Sequence, residues 1–124
     1  MPGAPTIHVA CLCAAWCRTC DEYRPAFDAA VDELRRAGVS VTTHWIDIED
    51  EAELVGDYDV ETFPTLLVAD AHHVRFVGPL TPQPDTVRRL LRATVIDADG
   101  GVTWPAAVPE VEALAAGVRS RRGD

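Results

Sequence analysis

The chain has 124 residues, 48% of them apolar and 25% charged, which is ordinary globular composition in an amount that suits one domain and not a disordered segment. Eleven basic residues, all Arg, stand against twenty acidic ones for a net charge of −9, a balance that argues against nucleic acid or an anionic membrane as the main partner. All four cysteines, Cys11, Cys13, Cys17 and Cys20, fall within ten residues. They cannot staple distant segments as the bridges of a small secreted scaffold do, so they form a local site, redox or metal.

In chain order, residues 1–17 carry no charged side chain and include the apolar run Val9–Cys17. That run is too short for a bilayer, which takes about 20 residues, and it has no basic leader, so the expectation is a cytoplasmic chain without a secretory signal. Ile7–Cys13 reads as a buried strand. A helix is predicted to about Ala37, with Tyr23, Phe27, Val31 and Leu34 on one face, Pro25 kinking its early part and Gly38 stopping it. Val39–Ile48 alternates imperfectly and predicts a second, central strand. Residues 50–57 predict a short helix with Asp50 as its cap. Thr65–Ala69 and Val74–Val77 predict a hairpin turning at Asp70-Ala71-His72, closed by Gly78-Pro79. Pro84 and Asp85 open a helix through Val87, Leu90 and Leu91 to about Thr94.

The order β-α-β-α-β-β-α implies an α/β fold with a four-stranded mixed sheet flanked by helices. Residues 1–95 are assigned to this domain. Residues 96–124 are read as a C-terminal extension: a turn at Asp97–Gly101, one short helix with a Val111, Leu114, Val118 stripe, and a flexible tail from Ser120. The stretch 47–61 holds eight acidic and no basic side chains and reads as a solvated face, the alternative being a surface that selects basic partners. His72 and His73 read as turn residues. Asp97-x-Asp99-Gly100 lacks the spacing of a calcium loop and also reads as a turn.

Trp16-Cys17-Arg18-Thr19-Cys20 at the end of the first strand, Pro25 five residues later, Thr62-Phe63-Pro64-Thr65 and Val77-Gly78 together resemble the thioredoxin family over residues 7–94. The resemblance implies a minimal thioredoxin-like core, since full-length thioredoxins carry a β-α unit before this strand. The family's buried aspartate falls at Cys11, its partner lysine near Trp45, and a tryptophan beside its active site at Cys13. The residues between the cysteines are Arg-Thr in place of Gly-Pro, and Asp21 stands where a lysine is usual.

The resemblance further implies a thiol–disulfide oxidoreductase with Cys17 as nucleophile and Cys20 as resolving thiol. The chemistry needs a thiolate, a minor species at neutral pH for an ordinary thiol. A helix N-terminus with Arg18 beside it favours an anion at Cys17, which predicts a pair more oxidising than a Gly-Pro version. Pro64 is expected to be cis, leaving the Thr62 and Phe63 backbone free for an extended substrate. Trp16, Arg18, Thr19 and Gly78 complete the expected substrate surface, and Trp16, Phe63 and Pro79 its apolar rim. Asp47 and Glu49 are considered as proton acceptors, with neither assigned.

No cofactor or metal is expected. Expected partners are protein disulfides or dithiols and a thioredoxin reductase or other thiol donor, with the chain a monomer. Cys11 and Cys13 share one face of a strand. They read as small buried hydrophobes, or, for Cys13, as a thiol that exchanges with the Cys17–Cys20 pair. The four thiols could also hold zinc or an iron–sulfur cluster, a reading opposed by the placement of Cys11 and Cys13 in a core strand. A binding or chaperone module in which redox activity is secondary is the alternative function.

Overall fold

A computed structural model of the chain describes residues 6–81, 83–98 and 103–123. Strand β1 (Ile7–Cys13) pairs in parallel with β2 (Val41–Asp47) and antiparallel with β3 (Thr65–Ala69), and β3 pairs antiparallel with β4 (Val74–Pro79). The spatial order is β2-β1-β3-β4. Helix α1 (Arg18–Arg36) makes the crossover that a parallel pair requires. Gly38 follows at φ +91°, a left-handed turn that glycine adopts without a Cβ penalty. The mixed four-stranded α/β arrangement expected from the sequence is present.

Side chains alternate across the sheet and split the core in two. Ile7, Val9, Cys11 and Cys13 of β1 face α1 and α3 (Pro84–Leu91), packing with Tyr23, Phe27, Val31, Val87 and Leu91. Helix α3 continues as a π-helical turn over Arg92–Ile96. On the other face, Ala10 and Leu12 pack with Val55 of α2 (Ala52–Val55) and with Val111, Leu114, Ala115 and Val118 of α4 (Pro109–Ser120). The segment read as an extension thus supplies most of the helical cover of the second face. Among the described residues, no helix is long and apolar enough to cross a membrane.

Three expectations change. Strand β2 lies at the edge and not in the centre, because β3 takes the other side of β1; its mixed Val-Thr-Thr-His-Trp run, only half-buried at most positions, suits that place. Asp50 is not the cap of α2, which starts after Glu51 without a side-chain cap. The tail is not loose at Arg121, whose guanidinium donates to Glu51 Oε1 and Oε2 at 2.8 and 2.9 Å and to the Trp45 carbonyl at 3.4 Å. Gly123 lies against Thr42. Asp99, Gly100 and Gly101 of the expected turn lie outside the described residues.

The hairpin turn is fastened by Asp70. Its Oδ1 accepts the N–H of His72 and His73 at 2.8 and 2.7 Å, and its Oδ2 accepts Arg75 Nε at 3.0 Å. Arg75 also donates to the Thr94 carbonyl at 2.9 Å, and Arg119 of α4 donates to the Asp70 carbonyl at 2.7 Å. Burial alone would raise the Asp70 carboxyl, but the two N–H donors and Arg75 outweigh it and hold the group below the usual carboxylate range.

Candidate active site

Strand β1 ends at Cys13, and the turn Ala14-Ala15-Trp16 leads into α1. The turn closes when the Cys17 N–H donates to the Ala14 carbonyl at 3.0 Å. Cys17 is the extended N-cap residue of α1, and its side chain makes no cap hydrogen bond. It therefore stands at the positive end of the helix dipole, as expected. Arg18 beside it is exposed and Thr19 half-buried. Cys20, one turn into the helix, points inward and is 1% exposed.

The disulfide in this structure joins Cys13 to Cys20, with Cα atoms 6.0 Å apart, and Cys17 is a free, half-buried thiol. The sequence expectation placed the bond between Cys17 and Cys20. The difference has a geometric cause. Cys13 is the last β1 residue on the face that packs against α1, where Cys20 also points, and both belong to one core cluster. Cys11, two residues earlier on that face, is fully buried and free, with its Sγ 3.4 Å from Cys13 Sγ. Burial pushes the Cys11 thiol well above its ordinary range. Burial does the same to the phenol of Tyr23, reinforced by Cys11, and Tyr23 Oη has no hydrogen-bond partner among the described residues.

Trp16 is 68% exposed. Its ring meets Phe63 edge-on at 5.5 Å between centroids, and its Nε1 donates to Glu49 Oε1 at 2.9 Å. Phe63–Pro64 is cis, as the resemblance implies. Thr62 is exposed and its carbonyl accepts the Thr65 hydroxyl at 2.6 Å, while the Pro64 carbonyl accepts the Leu80 N–H at 3.1 Å. The Trp16–Phe63 ring contact brings together the two segments Trp16-Cys17 and Phe63-Pro64, and Cys17 and Phe63 both pack against the core cluster under α1. Gly78 sits in the β3–β4 ladder opposite Leu66, and a Cβ there would meet the Phe76 ring of its own strand.

Asp47 is spent on the loop. Its carboxylate accepts the N–H of Glu49 at 2.8 Å, of Asp50 at 3.2 Å and of Ala15 at 2.8 Å, and the Glu49 and Asp50 bonds chiefly hold it below the usual carboxylate range. A group so held is a poor proton acceptor near neutrality; it pins the Cys-bearing turn to the end of β2. Sequence reasoning missed this clamp, though an Asp at the end of a strand next to a turn is a common donor trap. A cavity of about 340 Å³ opens beside it, lined by Cys13, Cys20, Asp21, Asp47, Asp50 and Glu51 among others. Among the described residues, no group of three or more His, Cys, Asp or Glu is placed to hold a metal ion.

The family model for thioredoxin matches residues 4–83. The chain belongs to the thioredoxin family. Among relatives of this thioredoxin domain, it is 38% identical over 71 residues to "Protein disulfide isomerase-like 1-4" of Arabidopsis thaliana, covering 56% of this chain and 12% of that protein. It is 30% identical over 123 residues to "Sulfhydryl oxidase 1" of Gallus gallus, covering 92% of this chain and 16% of that protein. The domain thus spans a small part of these relatives' length. Its fold is similar to that of a thioredoxin from Trypanosoma brucei brucei, with a TM-score of 0.62, 21% identity, and 76% of this chain and 78% of that one covered. It is similar also to the germline-specific thioredoxin Deadhead of Drosophila melanogaster, with a TM-score of 0.63, 16% identity, and 74% and 84% covered.

Proposed function

We propose that this domain is a thiol–disulfide oxidoreductase that acts on protein disulfides or dithiols, with Cys17 as nucleophile and Cys20 as resolving thiol. The observation that carries the reading is a free, half-buried Cys17 at the N-cap of α1, one turn from a buried Cys20 that becomes free to resolve once its bond to Cys13 is reduced. Membership of the thioredoxin family and the similarity to a disulfide isomerase-like protein and a sulfhydryl oxidase support it.

The Cys17 thiolate attacks a substrate disulfide and forms a mixed disulfide, expelling one substrate thiolate. Cys20 then attacks Cys17 Sγ, releases the second substrate thiolate and leaves a Cys17–Cys20 bond. In reverse the same steps oxidise a dithiol. Trp16, Arg18, Thr19, Thr62, Phe63, Pro64 and Gly78 are the proposed substrate surface, with the exposed Trp16 and its Phe63 neighbour as the apolar contact. A thioredoxin reductase or other thiol donor restores the dithiol. The domain is proposed to work as a monomer in the cytoplasm.

Insulin-disulfide reduction with dithiothreitol tests the reading. Wild type accelerates precipitation, Cys17→Ser abolishes the acceleration, and Cys20→Ser accumulates mixed disulfides. An inert wild type overturns it and favours a binding module built around the exposed Trp16.

A further inference from the structure

The four sulfurs are ordered by depth. Cys17 is half-buried, Cys20 and Cys13 are 1% and 2% exposed, and Cys11 is 0% exposed. Cys17 and Cys20 are three residues apart at the start of one helix, a spacing that makes side chains neighbours. Cys20 is bonded to Cys13, and Cys13 Sγ lies 3.4 Å from Cys11 Sγ. Cys20 is thus shared by two candidate partners, one facing solvent and one facing the core.

We infer that Cys13 is a second resolving cysteine, and that the disulfide migrates between an outer Cys17–Cys20 isomer and an inner Cys13–Cys20 isomer. The inference rests on the assignment of Cys17 and Cys20 proposed above. In the inward step the Cys13 thiolate attacks Cys20 Sγ. The Cys13–Cys20 bond forms, the Cys17–Cys20 bond breaks, and the electron pair leaves on Cys17 as a thiolate. One disulfide is lost and one gained, so no outside oxidant or reductant enters. In the outward step the roles reverse and Cys13 leaves as the thiolate. The buried Cys11 Sγ lies 3.4 Å from that sulfur, within S–H hydrogen-bond reach. The cavity that touches both Cys13 and Cys20 gives solvent protons a route to this sulfur pair.

The inner isomer has a functional consequence. The domain is then oxidised yet still presents a free nucleophile at its surface, while its disulfide is withheld from a dithiol substrate until Cys17 calls it out. The balance between the isomers sets what fraction of the oxidised domain can act as an oxidant, and every tenfold shift toward the inner isomer moves the apparent potential by about 30 mV.

The test is titration of the reduced full chain with excess 5,5′-dithiobis(2-nitrobenzoate) under native conditions, followed by intact mass and peptide mapping. Cys17 releases one thionitrobenzoate on attack and Cys20 a second on resolution. Cys13 then frees Cys17, which reacts again and releases a third, leaving a Cys13–Cys20 link and a thionitrobenzoate adduct on Cys17. Cys13→Ala is expected to stop at two, with no adduct and a Cys17–Cys20 link. Wild type that stops at two without an adduct overturns the inference, and so does a third release retained in Cys13→Ala. Mapping of the wild-type product needs no variant, so a misfolded Cys13→Ala does not block the test; Cys13→Ser is the second variant. Insulin reduction separates the two proposals. Activity lost in Cys17→Ser with wild type stopping at two removes the inner isomer alone, whereas an inert wild type removes the oxidoreductase reading, and the release count still decides the migration.

Discussion

At the scale of single residues, exposure separates the side chains open to solvent from those that hold the fold together. Trp16 presents most of its ring to solvent while one edge rests on Phe63 and its Nε1 is tied to Glu49. An aromatic so fixed is a low-entropy contact for a partner surface. Trp16→Ala is expected to lower kcat/KM for insulin about tenfold, or about 1.4 kcal/mol, while the rate with a small aromatic disulfide changes little; equal losses on both substrates would place Trp16 in the chemistry instead. Asp70 works on the fold. Its carboxyl titrates lower in the folded chain than in the unfolded one, so its contribution is fully present above the unfolded value of about 4 and is lost as pH falls through the folded one. Asp70→Asn is expected to cost about 1–3 kcal/mol at pH 7, with a deficit that shrinks on acidification below about pH 4. Urea unfolding at the two pH values checks both the cost and its sign.

At the scale of elements, the helices divide the labour. Helix α1 carries Cys17 and Cys20 and covers one face of the sheet, while the single turn of α2 leaves the other face to α4. Leu114 is 1% exposed at the centre of that cover. Leu114→Ala is expected to cost about 3 kcal/mol in urea unfolding, within the range for buried leucines; a cost below about 1 kcal/mol would mean α4 is peripheral. Periodicity made the elements and their order readable, and the resemblance to the thioredoxin family pointed to Cys17, Cys20 and Pro64. Less was legible where the answer depends on how elements meet. The stripe Val111, Leu114, Val118 announces a buried face but not the sheet face that receives it. The shared strand face of Cys11 and Cys13 is visible in their spacing, yet only the approach of α1 to β1 shows that Cys20 reaches Cys13. The edge place of β2 follows from β3 choosing the far side of β1, which the mixed run Val41–Asp47 fits but does not dictate.

At the scale of the whole molecule, the candidate site and residues 121–123 are joined through β2. Asp47 at its end clamps the turn that precedes Cys17, and Glu51 just beyond holds Arg121. Asp70 ties the hairpin to the π-helical turn through Arg75 and to α4 through Arg119. An edge strand is a template on which a second chain can add a strand, and natural proteins guard such edges with charge or with a covering segment. Here Arg121 on the Trp45 carbonyl and Gly123 against Thr42 lay residues 121–123 along β2. Arg121→Ala is expected to leave insulin reduction near wild type at low concentration while light scattering grows with concentration and mild heating; scattering equal to wild type would show the edge is guarded by its own polar side chains. Arg121 and Gly123 would thereby govern how crowded a solution the domain can occupy before its sheets join.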